Sequence, residues 1–258
     1  MISIKSEREI SLMREAGKRL KETFAEIEKH LKVGITTKEI DEIAHDYIIQ
    51  NDCIPSCLGY EGYPATICIS INDEVVHGIP RNYKIKNGDI VSCDIVLSYK
   101  GYHADATRTY IIGTVSKEII DLVENTKKAF YAGVSKVREG VRVKEISKAI
   151  EDYAHLHNLS VVEELVGHGI GTEMHEEPDI PNFDTNNNTR LKAGMVICIE
   201  PMLNLGSKEV YLCEDEWTVK TCDGKYSSHY ENTVLVTKDG YEILTEENIN
   251  GEKKKCSK

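Results

Sequence analysis

Apolar side chains at Ile10, Met13, Leu20, Phe24, Ile27 and Leu31 recur at helical spacing and predict a helix over residues 7–31. Ile40, Ile43, Ala44, Tyr47 and Ile48 continue the pattern and predict a second helix over 37–50. The pair returns later, over 117–138 and 143–157. One constant offset aligns the two pairs without a gap. It carries Lys21 onto Lys127, Phe24 onto Phe130, Gly34 onto Gly140, Lys38-Glu39-Ile40 onto Lys144-Glu145-Ile146, and Asp46-Tyr47 onto Asp152-Tyr153. Both halves read long helix, glycine turn, shorter helix. Each then runs toward a His-Gly-Ile, His77-Gly78-Ile79 in one and His168-Gly169-Ile170 in the other. Two related halves predict a pseudo-twofold domain with a site at the seam. The period is too long for a solenoid.

Strand-like runs follow each helix pair, at 65–71, 89–97, 102–112, 195–199 and 233–237. Helix pairs followed by hairpins predict a mixed α/β chain of the α+β kind, with a largely antiparallel sheet rather than a doubly wound one. No interdomain linker interrupts residues 1–250, which read as a single domain, and 176–190 forms one polar loop. The basic tail 251–258 (GEKKKCSK) reads as a frayed end.

A 40% hydrophobic share is enough for a sizeable core, and a net charge of −11 argues against broad attraction to nucleic acid or anionic membrane. The N-terminus is charged throughout, unlike a signal peptide. No apolar run reaches the roughly 18 residues of a membrane span. The cysteines form no CxxC pair, and Cys68, Cys93 and Cys198 sit in apolar runs as small buried hydrophobes. The reading is a reduced, cytoplasmic protein, with disulfides as the alternative.

Against this background five residues stand out. Asp94, Asp105, His168, Glu200 and Glu231 lie in or beside apolar strand-like runs or a glycine turn, where an unpaired charge is costly. Converging carboxylates would repel, and a pair of divalent cations would remove the conflict. If Tyr99-Lys100 is a two-residue turn, Asp94 falls opposite Asp105 with Cβ atoms roughly 5 Å apart. A three-residue turn using Gly101 would shift that register. His168 lies between glycines, which let backbone approach closely. One nitrogen among many carboxylate oxygens suits Mn²⁺, Fe²⁺ or Co²⁺, with Zn²⁺ also compatible. A bridging carboxylate would hold two such ions roughly 3.5–4 Å apart. His77 and His175, in matched glycine-containing contexts, are candidates for catalysis.

The blocks CLGYEGYPATICISINDEVVHGIP (57–80), DIVLSYKGYHADATRTY (94–110), VGHGIGTEMHEEP (166–178), ICIEPM (197–202) and SSHYENTVLVT (227–237) resemble type I methionine aminopeptidases, and the likeness runs in order over about residues 3 to 248. The resemblance implies the duplicated pita-bread fold, its helix pairs set around a curved sheet. It implies removal of the initiator methionine from nascent polypeptides, by attack of a water or hydroxide shared between two divalent metal ions. It matches Asp94, Asp105, His168, Glu200 and Glu231 to metal ligands, and His77 and His175 to substrate-contacting histidines. Glu200 is in addition the candidate proton shuttle from nucleophile to leaving amine. It matches Cys57, Tyr60, Tyr63, Cys68, Met174 and Trp217 to the methionine pocket. The ribosome is a candidate contact, and the chain is expected to act as a monomer.

Four positions depart from the resemblance. Met174 stands where Phe is frequent, Glu173 and Ala104 where Gly is, and His229 where Gln is. His229 is expected on the same strand face as Glu231, where it would perturb the pH profile. Proline-directed relatives such as prolidase are the nearest rival. They usually carry an added N-terminal domain, whereas this chain opens on the first helix of the repeat. A non-catalytic binding protein on the same fold is the other rival, disfavoured because every candidate ligand is in place.

Overall fold

The computed structural model describes residues 2–246, so the expected frayed tail lies outside the described residues. Four helices occupy the predicted places: α1 (Glu7–Glu28), α2 (Thr37–Gln50), α3 (Lys117–Val134) and α4 (Val143–Leu156). α1 and α3 end earlier than their apolar periodicity suggests. In each half the chain must leave the helix to turn through a glycine at positive φ, 96° at Gly34 and 85° at Gly140. The two turns are tied down alike. Gly34 N–H donates to Ile85 O at 2.8 Å, and Gly140 N–H to Leu191 O at 2.9 Å. The shared Lys-Glu-Ile block has a local cause too. Glu39 accepts from the Thr36 N–H at 2.8 Å, and Glu145 from the Arg142 N–H at 3.2 Å, each closing the first turn of its helix.

The main sheet runs Ile54–Pro55, Ile90–Tyr99, Tyr102–Ile111, Glu231–Val236, Val196–Ile199, Gly167–Gly169, Glu176–Ile180. Cys68–Ile71 also pairs with Ile90–Tyr99, and Tyr241–Ile243 with Glu231–Val236. The pairings are antiparallel, as the hairpin pattern predicts. Strand alternation then divides the faces. Val91, Cys93, Ile95, Leu97, Ala104 and Ala106 pack beneath α1 and α2 with Leu20, Phe24, Ile40 and Ile48. Ile197, Ile199, Val234 and Val236 pack beneath α3 and α4 with Phe130, Val134, Ile146 and Ile150. The alternate positions, Asp94, Asp105, Thr107, Cys198 and Glu231, are left for the opposite face. Helices cover the outer face of both halves, and the candidate chemistry gathers on the inner one.

The segment 176–190 is not all loop, since Glu176–Ile180 pairs as a strand with Gly167–Gly169. Three further sequence expectations are corrected. The hairpin turns at Lys100-Gly101, both at positive φ (50° and 81°), with Tyr99 opposite Tyr102. This is the backbone a tight two-residue hairpin turn requires. Asp105 therefore lies opposite Val96, and Asp94 opposite Thr107. The slip is an even number of residues, so both aspartates keep the same face. Second, His77 is not the counterpart of His168. Ile71 lies opposite Val91 and Gly169 opposite Ile197, equivalent positions in the two halves. Counting equally far along from each reaches His77 in one half and His175 in the other. Third, His229 and Glu231 belong to different strands. Ser227–His229 pairs with Met202–Asn204 in a small separate sheet, and the chain crosses at Tyr230 into the main sheet.

Candidate metal centre

The duplication also places two of the acids. Gly88 and Gly194 are equivalent turns at positive φ (98° and 88°), followed by the strands starting at Ile90 and Val196. Counting on, Asp94 and Glu200 hold the same place in the two halves. Thr107 lies opposite Asp94 on one side and opposite Glu231 on the other, so the three form a row across the central strands. The Thr107 hydroxyl donates to Glu231 Oε2 at 3.0 Å. The Glu200 backbone carbonyl accepts from Asn182 Nδ2 at 3.1 Å, which fixes the end of its strand.

His168 is held by close packing of backbone. A Cβ on Gly167 would come within 2.4 Å of Cys198 O, and one on Gly169 within 2.4 Å of Glu177 O. The His168 Nδ1 lies 2.9 Å from Gly169 O, and a carbonyl only accepts, so Nδ1 carries the proton. Nε2 is thereby left with its lone pair, the tautomer a metal ligand needs. It stands 3.7 Å from Asp105 Oδ2 and 3.6 Å from Glu200 Oε1.

Asp105, His168 and Glu231 are buried, and Glu200 is nearly so. One oxygen each of Asp94, Asp105 and Glu231 is buried without a hydrogen-bond partner. Burial pushes Asp94 up to about 6 and, with the neighbouring Asp94 charge, Glu231 up to about 8. Burial and the charge of Glu231 hold Asp105 and Glu200 well above the usual carboxylate range. Burial drives His168 and His77 the other way, each down to about 4. Neutral imidazoles thus face carboxyls that cannot all ionise together, with acceptor oxygens unpaired. A divalent cation reverses each of these penalties, and imidazole with carboxylate is a donor set for first-row divalent ions. The donors form two groups, Asp105, His168, Cys198 and Glu231 in one, Glu200, His229 and Glu231 in the other, each with ligand atoms within 4.8 Å of one another. Glu231 belongs to both.

The two remaining histidines flank this nest. His175 meets the His168 ring edge-on at 4.4 Å between centroids, and its Nδ1 lies 2.9 Å from the Tyr60 hydroxyl. His77 has φ 57°, a left-handed backbone that a non-glycine residue adopts at a cost of the order of 1–3 kcal/mol. Beside them Cys57, Tyr63, Ala65, Cys68, Val96 and Met174 form a buried apolar cluster, with Trp217 and Ile79 against it. Trp217 packs edge-on to Tyr63 at 5.0 Å. Tyr63 donates to Gly78 O at 3.0 Å, linking this wall to the His77 segment. Its neighbour Cys68 and its own burial push the Cys57 thiol up, so it stays neutral and the cluster stays apolar. Tyr60 is 36% exposed, and its hydroxyl lies against His175.

Sequence reasoning overlooked Thr107 and the direction of Cys198. Both signals were present, since each lies two residues from a named acid and so on its face of the strand.

A duplicated α/β shell with carboxylates and imidazoles gathered on its inner face, beside a small apolar cluster, defines a metal-dependent enzyme class. The chain belongs to metallopeptidase family M24, whose model matches residues 11–238. Its curated relatives include the methionine aminopeptidase of Clostridium perfringens, 46% identical over 246 residues, covering 95% of this chain and 99% of the relative. Methionine aminopeptidase 1 of Bacillus subtilis matches with the same identity and coverage. The crystal structure of methionine aminopeptidase from Rickettsia prowazekii superposes with a TM-score of 0.94 at 40% identity, covering 95% of this chain and all of that one (100%). The shared architecture is the pita-bread fold. Prolidase from Pyrococcus furiosus shares that fold at 23% identity, with a TM-score of 0.76 and 66% of its chain covered. No helix among the described residues is long and apolar enough to cross a membrane.

Proposed function

We propose that this chain is an aminopeptidase that releases the N-terminal methionine of polypeptides, with two divalent ions held by Asp94, Asp105, His168, Glu200 and Glu231. One observation carries the reading: buried carboxylate oxygens without partners lie beside an apolar cluster of thiols, a thioether and aromatic rings. The ions are Mn²⁺, Fe²⁺, Co²⁺ or Zn²⁺, by the donor set. When bound, such ions make hydroxide available near neutral pH and polarise a carbonyl oxygen.

The chain's own residues supply the rest. Cys57, Tyr60, Tyr63, Cys68, Met174 and Trp217 receive the methionine side chain, a soft unbranched group that fits a soft pocket. Tyr60 orients His175 through its hydroxyl. His175 hydrogen-bonds the scissile carbonyl oxygen as it gains charge. His77 contacts the scissile amide or the leaving nitrogen. Glu200 carries the proton from the nucleophile to the leaving amine. The enzyme works in the cytoplasm as a monomer on nascent chains, with the ribosome as a candidate contact.

The test is cleavage of Met-Ala-Ser and Gly-Pro-Ala by metal-free protein with Mn²⁺, Fe²⁺ or Co²⁺ restored. Metal-dependent release of methionine from the first peptide alone is expected. Cleavage of the second would move the chain to the proline-directed branch. No cleavage of either, with metal bound, would make it a binding protein.

A further inference from the structure

His229 is a buried imidazole at the site to which the reaction above gives no task. It ends the short strand paired with Met202, just before the chain crosses into the main sheet. Its backbone is clamped on both sides: the N–H donates to Thr109 Oγ1 at 3.2 Å, and the carbonyl accepts from the same hydroxyl at 2.8 Å. The residue is 2% exposed, and Nε2 is buried with no hydrogen-bond partner. That atom lies 3.7 Å from Glu200 Oε2.

The distance separates two roles. A hydrogen bond between these groups would lie at roughly 2.7–3.2 Å. Two donors about 2.1 Å from one tetrahedral ion stand roughly 3.4 Å apart. The His229–Glu200 separation is longer than a hydrogen bond. It also equals the separations of His168 Nε2 from its own carboxylates, 3.6 and 3.7 Å. His229, Glu200 and Glu231 form one of the two donor groups with ligand atoms within 4.8 Å, and His168 belongs to the other.

We propose that His229 Nε2 is a direct nitrogen donor to a divalent cation held with Glu200 and Glu231, giving the centre a second imidazole beside His168. The inference rests on the metal-centre reading and adds a ligand to it. A second nitrogen makes the site softer. It shifts preference toward Co²⁺, Fe²⁺ and Zn²⁺ and away from Mn²⁺ and Mg²⁺, which favour oxygen.

The test is zinc K-edge X-ray absorption of the wild-type chain loaded with two equivalents of Zn²⁺, which counts imidazoles by their outer-shell scattering. About one imidazole per zinc is expected, against about one half if His168 binds alone. A second arm measures Co²⁺ and Mn²⁺ binding calorimetrically in wild type and His229→Gln. A loss of about tenfold or more for one Co²⁺, equivalent to about 1.4 kcal/mol, with a smaller loss for Mn²⁺, supports the proposal. Half an imidazole per zinc, or equal losses for both metals, overturns it and leaves the centre standing with His229 outside it. Wild-type protein that binds no zinc overturns the metal centre itself. The absorption experiment needs no variant, so poor folding of His229→Gln does not blunt it.

Discussion

At the scale of single residues, Glu231 and the histidines around it set the site's response to pH. Glu231 is raised to about 8 and Asp94 to about 6, in both cases first by burial. A carboxyl raised in the fold stabilises while protonated. Its contribution is complete below its unfolded pKa and is lost as pH rises through its folded one. His168 and His77 run in the opposite sense. Depressed to about 4, they contribute above their unfolded pKa near 6.5, and that contribution is lost as pH falls through about 4. Between pH 6.5 and 8 the carboxyls act alone. The metal-free protein should therefore melt at progressively lower temperature across that window, and Co²⁺ or Mn²⁺ should abolish the decline. Calorimetry in chelator and in metal reads this directly, and a metal-free Tm rising over the window would contradict it. His175 is a different case, because in the proposed reaction it bonds the scissile carbonyl and meets the donors only through the edge of the His168 ring. His175→Ala should keep its metal while kcat falls about 10²–10³-fold. Near-normal turnover would remove it from the reaction. Glu200→Gln should lose metal affinity and rate together, as paired metal titrations and assays would show.

At the scale of elements, His168 depends on the strand that carries it. The segments around Gly167–Gly169 approach so closely that a methyl group would strike a carbonyl oxygen. Gly169→Ala should cost about 1–3 kcal/mol and displace His168, so urea melts and Co²⁺ titrations should worsen together. Weakened stability with unchanged metal binding would separate the strand from the site. The helix pairs and their glycine turns were legible in the sequence, because helical periodicity and the need for positive φ act over a few residues. The hairpin was legible in part. Lys100-Gly101 provides the turn that Tyr99-Lys100 does not, and the even slip preserved the shared face of Asp94 and Asp105. The division between His229 and Glu231 was not legible. Nothing local marks Tyr230 as a crossing point; the partner strand Met202–Asn204 decides it.

At the scale of the whole molecule, duplication supplies two helix-covered half-sheets, and the site forms where their inner faces meet. The candidate donors come from both halves, so a metal held by the proposed set would clamp them together. At about 100-fold excess over its dissociation constant a bound ion adds roughly 2.7 kcal/mol, which in a chain of this size corresponds to about 5–10 °C. Adding chelator to the loaded protein should lower Tm by that amount in a scanning experiment. An unchanged Tm would show that the halves are joined without the metal.

The sequence by itself determined the helix pairs, the repeat, the face shared by Asp94 and Asp105, and the identity of the acids and imidazoles. These follow from backbone periods and from the cost of placing charge in apolar runs. Only the tertiary structure decided which of these residues meet. It set Thr107 between Asp94 and Glu231, gave His77 and His175 equivalent places in the two halves, turned His229 toward Glu200 and put the Tyr60 hydroxyl against His175. Each of those placements depends on pairing or packing between segments distant in the chain, and a local pattern of polar and apolar positions does not encode the register of strands that far apart.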